Sequence, residues 1–170
     1  MANINQYIAA RDKWKPEKVN VLIIAESPPA GGGYFYFNEP RRSGLFAETI
    51  KALGIVQELP KGYDKHPLLE QFKCQGYLLL DCCYEPVNKM PLKERKQTIN
   101  NQLGRLVKDV QTIDPQKIII IKSSIYYLVK NALEKSGYGN KVLNQKPIPF
   151  PSHGHQATYR QSIKELMLTK

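Results

Sequence analysis

The chain has 170 residues, 42% of them hydrophobic, which predicts one globular domain spanning residues 1–170 rather than a disordered chain. Its 25 lysines and arginines against 15 aspartates and glutamates give a net charge of +10, which favours DNA or another nucleic acid as partner. No apolar run reaches the roughly 20 residues of a membrane span, and Met1–Trp14 lacks the apolar centre of a signal peptide, so we expect a cytoplasmic protein that does not bind membranes.

The cysteines argue against a metal centre. Cys74 and the adjacent Cys82 and Cys83 lack the paired spacing of a zinc site, and three cysteines are too few for an all-cysteine iron–sulfur cluster. We therefore expect reduced thiols, no metal and no cofactor. We also expect a monomer.

An apolar strand and the glycine-rich loop after it organise the prediction of the fold. A short helix over Asn3–Trp14 precedes a mostly β-branched and aliphatic run over residues 19–25, which is typical of a buried parallel strand. Glu26 stands at the exit of this strand, before two prolines and the glycines Gly31–Gly33. Ligands bind at such carboxyl ends of strands in open α/β sheets.

Four aromatic residues follow the glycines. Tyr36 and Phe37 are the candidates for stacking on a flat ligand such as a base, and a place in the core is the structural alternative. The later elements are predicted in chain order: a helix from Ser43 to Gly54, a short helix over Leu68–Phe72, a strand over Gly76–Asp81, a helix with a basic face over Leu92–Ile113, a strand over Lys117–Ile121, a serine-capped helix from Ser123 to Gly137, an edge strand over Lys146–Pro151 and a helix over Gln156–Leu168.

This alternation of strands and helices predicts an α/β fold of three layers, in which a small four-stranded parallel sheet lies between helices. Glu26 and Asp81 each follow or end a buried strand. Because the carboxyl ends of parallel strands meet at one edge of the sheet, we expect both acids at the same edge.

Three sequence segments at strand ends resemble motifs of the uracil-DNA glycosylase superfamily. They are Ala25-Glu26-Ser27-Pro28-Pro29, Leu78-Leu79-Leu80-Asp81 and Phe150-Pro151-Ser152-His153-Gly154. The order of elements is similar over nearly the whole chain. The resemblance implies the fold of that superfamily. It also implies a function in DNA repair, the hydrolysis of the N-glycosidic bond of a modified base.

The resemblance also implies roles for particular residues. Ser27 falls where many members of the family have a residue that orients water, but a neutral hydroxyl is a poor base, so Glu26 at the preceding, variable position is the better candidate for this role. Asp81 falls where the family has an asparagine that reads uracil. Phe150 stands where it has a catalytic histidine, so His153 is the candidate for that role from the same loop. The candidates for phosphate binding are four: Lys122, Ser152, His155 and Arg160.

These departures from the family motifs leave two other functions open. The first is a catalytically inactive member that still binds a base or nucleic acid, which Ser27, Asp81 and Phe150 favour. The second is a small-molecule enzyme of flavodoxin-like architecture that uses Gly31–Gly33 as a phosphate loop, although no Lys-Ser/Thr phosphate signature follows. Glu26 and Asp81 also have structural alternatives as caps of a loop and a turn.

Overall fold

The computed structural model describes residues 3–39 and 43–168. The strands are β1 (Val21–Ala25), β2 (Tyr77–Asp81) and β3 (Lys117–Ile120), and the helices are α1 (Ile4–Lys13), α2 (Gly44–Ala52), α3 (His66–Cys74), α4 (Leu92–Ile113), α5 (Ser123–Lys135) and α6 (Gln156–Leu168), with a short 3₁₀ helix at Gly139–Lys141. The α/β class and the order of these elements therefore match the sequence prediction.

The described strands form one parallel sheet in the order β2-β1-β3. In this register Val21 lies opposite Tyr77 and Lys117, and Ala25 lies opposite Asp81. Every residue of β1 and β2 is buried, so helices and loops cover both faces of the sheet, as the continuous apolar runs predict. The central position of β1 brings its carboxyl end between those of its two neighbours.

The predicted fourth strand is not a strand of the described residues. Within 146–151 only Ile148 pairs with the sheet, through an isolated parallel bridge to Ile121, and its carbonyl accepts from the Lys122 N–H at 2.9 Å. Prolines 147, 149 and 151 remove every second backbone donor of this segment, so no ladder can extend from the single bridge.

Two side chains cover the outer edges of the sheet instead. On β2 the Tyr36 hydroxyl donates to the Leu79 carbonyl at 2.9 Å and accepts from the Leu79 N–H at 2.8 Å. On β3 the Asn144 amide makes the same pair of bonds with Ile120, both at 3.0 Å. Each side chain satisfies backbone groups that a further strand would otherwise bond.

Side chains cap the first two helices. Asn3 and Gln6 form a capping box at the start of α1, and Ser43 caps α2 by accepting from the Phe46 N–H. The prediction of a serine cap on α5 is wrong: the N-cap residue is Lys122, and no side chain caps this helix. The hydroxyl of Ser124 instead donates to the Glu26 carboxylate.

Candidate functional site

A cavity of about 300 Å³ opens at the carboxyl edge of the sheet. We call it the carboxyl-edge cavity. Its walls are the β1 exit (Ala25, Glu26, Ser27, Pro28, Pro29), the glycine loop and the aromatics after it (Gly32, Gly33, Tyr34, Phe35), the start of α2 (Ser43, Gly44, Leu45), Leu79 and Asp81 of β2, and Asn88, Lys122 and Phe150. The structure thus brings Glu26, Ser27, Asp81 and Lys122 together, as the sequence predicts for acids at strand ends.

Glu26 is buried and fully engaged by donors. Its carboxylate binds Arg95 from α4 in a bidentate ion pair, with one N–O distance of 3.0 Å, and also pairs with Lys122. Ser124 donates to the same carboxylate at 3.0 Å. Burial alone would raise the pKa of Glu26, but the hydrogen bonds and charges of Arg95 and Lys122 hold the pKa below its ordinary value. Glu26 is therefore ionised at neutral pH and cannot act as a general acid there.

Lys122 reaches Glu26 from an unusual backbone conformation. Its φ of 76° lies in the left-handed region, which is uncommon for residues other than glycine. This conformation occurs where the chain passes from β3 into α5, directly beside the cavity. Such backbone conformations persist only where surrounding contacts hold them, and the ion pair with Glu26 is one such contact.

Asp81 is as deeply buried as Glu26 but has fewer donors. Burial raises the pKa of Asp81 to about 7, against a hydrogen bond from the Tyr34 hydroxyl and the positive charges of Arg11 and Arg105. The charge of Glu26 adds to the increase. No described residue donates to the Oδ2 atom of Asp81. The carboxyl group therefore has an unused buried acceptor beside the cavity.

A network of arginines holds the end of β2 in place. The Arg105 guanidinium donates to the backbone oxygens of Asp81 and Cys82 and lies 3.6 Å from the centre of the Tyr84 ring. Arg11 donates to the Tyr84 hydroxyl at 2.8 Å. Arg11 also pairs with Asp12, and Arg105 with Asp109, so neither arginine binds the Asp81 carboxylate and only their more distant charge acts on it.

The aromatic wall consists of Tyr34 and Phe35 rather than the predicted pair. Tyr36 and Phe37 are not among the described residues that line the carboxyl-edge cavity. Tyr36 binds the β2 backbone, whereas Phe37 stacks on Tyr7 with ring centres 5.5 Å apart and faces a neighbouring cavity of about 410 Å³. The backbone turns at 34–37, where the Phe37 N–H donates to the Tyr34 carbonyl, and this turn separates the two pairs of aromatic side chains.

A buried lysine that sequence reasoning did not single out holds this wall. Lys65 is 2% exposed, and its ammonium donates to the carbonyls of Tyr34 at 2.9 Å and Phe35 at 3.3 Å. Burial lowers its pKa to about 8. Since Lys65 lies between Asp64 and His66, ahead of the predicted helix over Leu68–Phe72, its sequence context is typical of an exposed lysine and carries no signal for this role.

The glycine loop already holds a carboxylate of the chain. Gly32 and Gly33 have φ values of 83° and 78°, which glycine adopts without strain. The Gly33 N–H donates to the Glu39 carboxylate at 2.7 Å. A bound phosphate would have to displace that acid, so this contact disfavours the flavodoxin-like alternative.

The remaining predicted residues lie on the segment that follows Phe150 or on α6. Ser152, His153 and His155 are partly or fully exposed, and the His153 ring lies 3.0 Å from the Ser152 hydroxyl. Arg160 forms an ion pair with Glu48, which joins α6 to α2. None of these four lines the carboxyl-edge cavity among the described residues, so their proposed roles require approach from its mouth.

Exposed lysines lie close in the chain to Arg95, the residue of α4 that binds Glu26. Lys89, Lys93 and Lys96 are exposed, and Arg95 lies within the same first turns of α4. We call these three the rim lysines. Sequence reasoning recognised the basic face of this helix but not that Arg95 turns inward, because a basic helix face does not reveal which cation meets an acid from another element.

The chemistry available to the cavity follows from these contacts. It offers one carboxylate that is charged at neutral pH, one carboxyl group that titrates near neutral pH, three aromatic rings (Tyr34, Phe35 and Phe150) and a lysine. The described residues contain no group of three or more histidine, cysteine or acidic side chains placed to hold a metal ion. Among the described helices, none combines the length and apolarity required to cross a membrane.

No protein-family model matches the chain, and no curated protein matches it.

Proposed function

We propose that the protein binds nucleic acid and admits one extruded base into the carboxyl-edge cavity, where the N-glycosidic bond of that base is hydrolysed. The observation that carries this proposal is the cavity itself, in which two buried acids and three aromatic rings meet, with exposed lysines near Arg95 in the chain. A base needs a flat apolar contact and polar partners for its edge, and the phosphates on either side need cations. The resemblance to uracil-DNA glycosylases supports the same function.

Glu26 has a defined part in this proposal. Cleavage of an N-glycosidic bond develops positive charge on the sugar, which a fixed carboxylate stabilises. Its depressed pKa keeps Glu26 charged, although Arg95 and Lys122 offset part of that charge.

A second candidate function is base binding without hydrolysis. The three donors on Glu26 favour it, since a carboxylate that accepts from two cations and a hydroxyl is a weak base for activating water. Ser27 does not supply a base either, and its hydroxyl accepts from the Val87 N–H at 3.3 Å.

Salt-dependent binding tests the nucleic-acid part of the proposal. Fluorescence anisotropy with labelled single- and double-stranded oligonucleotides should give an affinity that falls steeply with salt. Replacing the rim lysines Lys89, Lys93 and Lys96 by glutamine should reduce the log–log salt slope by roughly two to three.

The matched control removes the same charge from the opposite edge of the sheet. Lys15 and Lys18 precede β1, Lys135 ends α5, and all three are exposed. Their replacement by glutamine should change binding far less than the rim variant does. Equal losses in both triple variants, or an affinity that salt does not change, would refute nucleic-acid binding at this rim.

An excision assay separates the two candidate functions. The protein is incubated with oligonucleotides that each carry one modified base, and abasic sites are detected by alkaline cleavage. Hydrolysis predicts abasic sites, and Glu26→Gln should then lower the rate at least about 100-fold. Tight binding of the same oligonucleotides without abasic sites would select base binding alone.

A further inference from the structure

The carboxyl-edge cavity contains one strong indication of what it binds, which is the unused acceptor on Asp81. This residue is 5% exposed, lines the cavity, and has an Oδ2 atom to which no described residue donates. Buried polar atoms almost always have a hydrogen-bond partner, because an unsatisfied group costs about 1–3 kcal/mol. An unused acceptor beside a cavity points to a donor on the ligand.

The existing contacts of Asp81 leave this oxygen available to a ligand. The Tyr34 hydroxyl hydrogen-bonds to the carboxyl group, and the nearby arginines bind backbone oxygens and the Tyr84 side chain. No described cation forms an ion pair with Asp81, in contrast to Glu26. A ligand donor is therefore not in competition with a lysine or arginine for this oxygen.

We propose that Asp81 makes the cavity selective for bases that present an amino group or adjacent N–H donors, so that guanine-type edges bind best, cytosine next and uracil worst. A guanine edge offers a ring N–H beside an amino group, and cytosine offers one amino group. In uracil the single ring N–H lies between two carbonyl oxygens, which a carboxylate repels. This inference rests on the proposed function, since it names the base that the same cavity takes.

The charge state of Asp81 makes the selectivity depend on pH. The groups that face it are Tyr7 and Arg11 of α1, Tyr34 and Tyr36 of the aromatic segment, Glu26 of the β1 exit, Arg105 of α4, and Cys82 and Cys83, which directly follow β2. Burial raises the pKa of each of these tyrosines, and the pKa of Glu26 lies below its ordinary value. The hydrogen bond between the two thiols raises the pKa of Cys82 and lowers the pKa of Cys83. Asp81, with a pKa of about 7, titrates between about pH 5.5 and 8.5, and the Asp81→Asn variant separates its titration from that of Cys83.

Nucleoside monophosphates provide the first probe, because GMP, CMP and UMP share a phosphate and a ribose and differ in the base. Titrations followed by NMR or calorimetry at pH 8.5 should give GMP at least about fivefold tighter binding than UMP. The preference should shrink at pH 5.5, where a protonated Asp81 donates rather than only accepts.

The substitution Asp81→Asn supplies the second test, because asparagine has nearly the same shape but donates as well as accepts. It should shift the preference toward UMP and abolish the dependence on pH. Glu94→Gln is the matched control: Glu94 is exposed on the first turn of α4, so its loss changes the charge near the cavity without changing the cavity walls. This variant should alter all three affinities equally. If Asp81→Asn does not fold, the pH series on Cys83→Ser, which lacks the neighbouring thiol, still decides.

Oligonucleotides with one central guanine, cytosine or uracil distinguish the failure of this inference from that of the proposed function. Salt-dependent binding of all oligonucleotides with no preference among bases or monophosphates would overturn the role of Asp81 and leave nucleic-acid binding intact. A GMP preference that needs Asp81, without binding of any oligonucleotide, would support base recognition and overturn nucleic-acid binding. Tighter binding of UMP than of GMP at pH 8.5 would refute the inference directly.

Discussion

Two buried acids at the same edge of the sheet differ in almost every contact. Glu26 follows Ala25, which lies opposite Asp81 in the register, and the two residues are 3% and 5% exposed. Equal burial nevertheless gives a pKa below the ordinary value for Glu26 and a pKa of about 7 for Asp81. Depth of burial therefore does not decide the charge of a carboxyl group here, and the donors around it do.

The difference arises from which elements reach each acid. The first turns of α4 and α5 supply Glu26 with a guanidinium, a hydroxyl and, through the residue before α5, an ammonium. Around Asp81 the Arg105 guanidinium binds backbone carbonyls instead. One acid is thus held as a fixed charge, whereas the other keeps an acceptor available to a ligand.

The largest expected effect on stability comes from replacing Arg95 and Lys122, the two cationic side chains that pair with Glu26. Arg95→Met combined with Lys122→Met leaves a buried carboxylate with Ser124 as its remaining donor among the described contacts. Breaking a buried ion pair in this way costs about 3–5 kcal/mol, measured as the free energy of unfolding in urea at pH 7.

A further substitution and a change of pH test this expectation. Adding Glu26→Gln to the double variant should recover much of the loss, because the unpaired charge is removed. The low pKa of Glu26 in the folded protein means that its stabilising contribution is present above its ordinary pKa and is lost as the pH falls through the lowered value. The cost of the double variant should therefore shrink in acid. A triple variant no more stable than the double would contradict this account.

An opposite and smaller effect is expected at Asp81. The pKa of Asp81 in the folded protein lies above its ordinary value of 3.8. Asp81 therefore does not destabilise the fold at a pH below 3.8, and it destabilises the fold increasingly as the pH rises from there to about 7. Asp81→Asn should match the parent near pH 4 and be more stable by about 1–3 kcal/mol at pH 8.5.

Thermal or urea unfolding across this pH range measures the effect. Glu94→Gln, at an exposed position, should stay within about 0.5 kcal/mol of the parent at each pH. A constant difference between Asp81→Asn and the parent at all pH values would show that Asp81 does not titrate in the way its burial predicts.

The smallest expected effect on stability comes from Ser124, the uncharged hydrogen-bond donor to Glu26. Ser124→Ala removes one hydrogen bond to the carboxylate and should cost about 1 kcal/mol in the free energy of unfolding. Ser123→Ala is the matched control, since both serines are exposed in the first turn of α5 and neither caps the helix. Equal effects of the two substitutions would assign the loss to helix propensity rather than to Glu26.

Much of the fold was predictable because its signals are local. Continuous apolar runs identify β1, β2 and β3 as buried parallel strands, and the capping residues Asn3 and Ser43 place two helix starts. The predicted edge strand around Ile148 was wrong for an equally local reason, because alternate prolines remove the donors that a ladder needs.

The candidate site was only half predictable. The meeting of Glu26 and Asp81 follows from the sequence, since strand ends in a parallel sheet converge. The choice of Tyr34 and Phe35 for the cavity wall, instead of Tyr36 and Phe37, depends on a backbone turn at 34–37 that four consecutive aromatic residues do not reveal in the sequence.

The sequence by itself determined the α/β class, the strand that leads into the cavity and the two acids at its edge, because these depend on patterns a few residues long. Tertiary structure decided the charge of those acids. Arg95 is 69 residues from Glu26 in the chain, and the donors of both acids come from other elements. A pKa depends on the groups within a few ångströms of a carboxylate, and only packing of the helices onto the sheet brings those groups together.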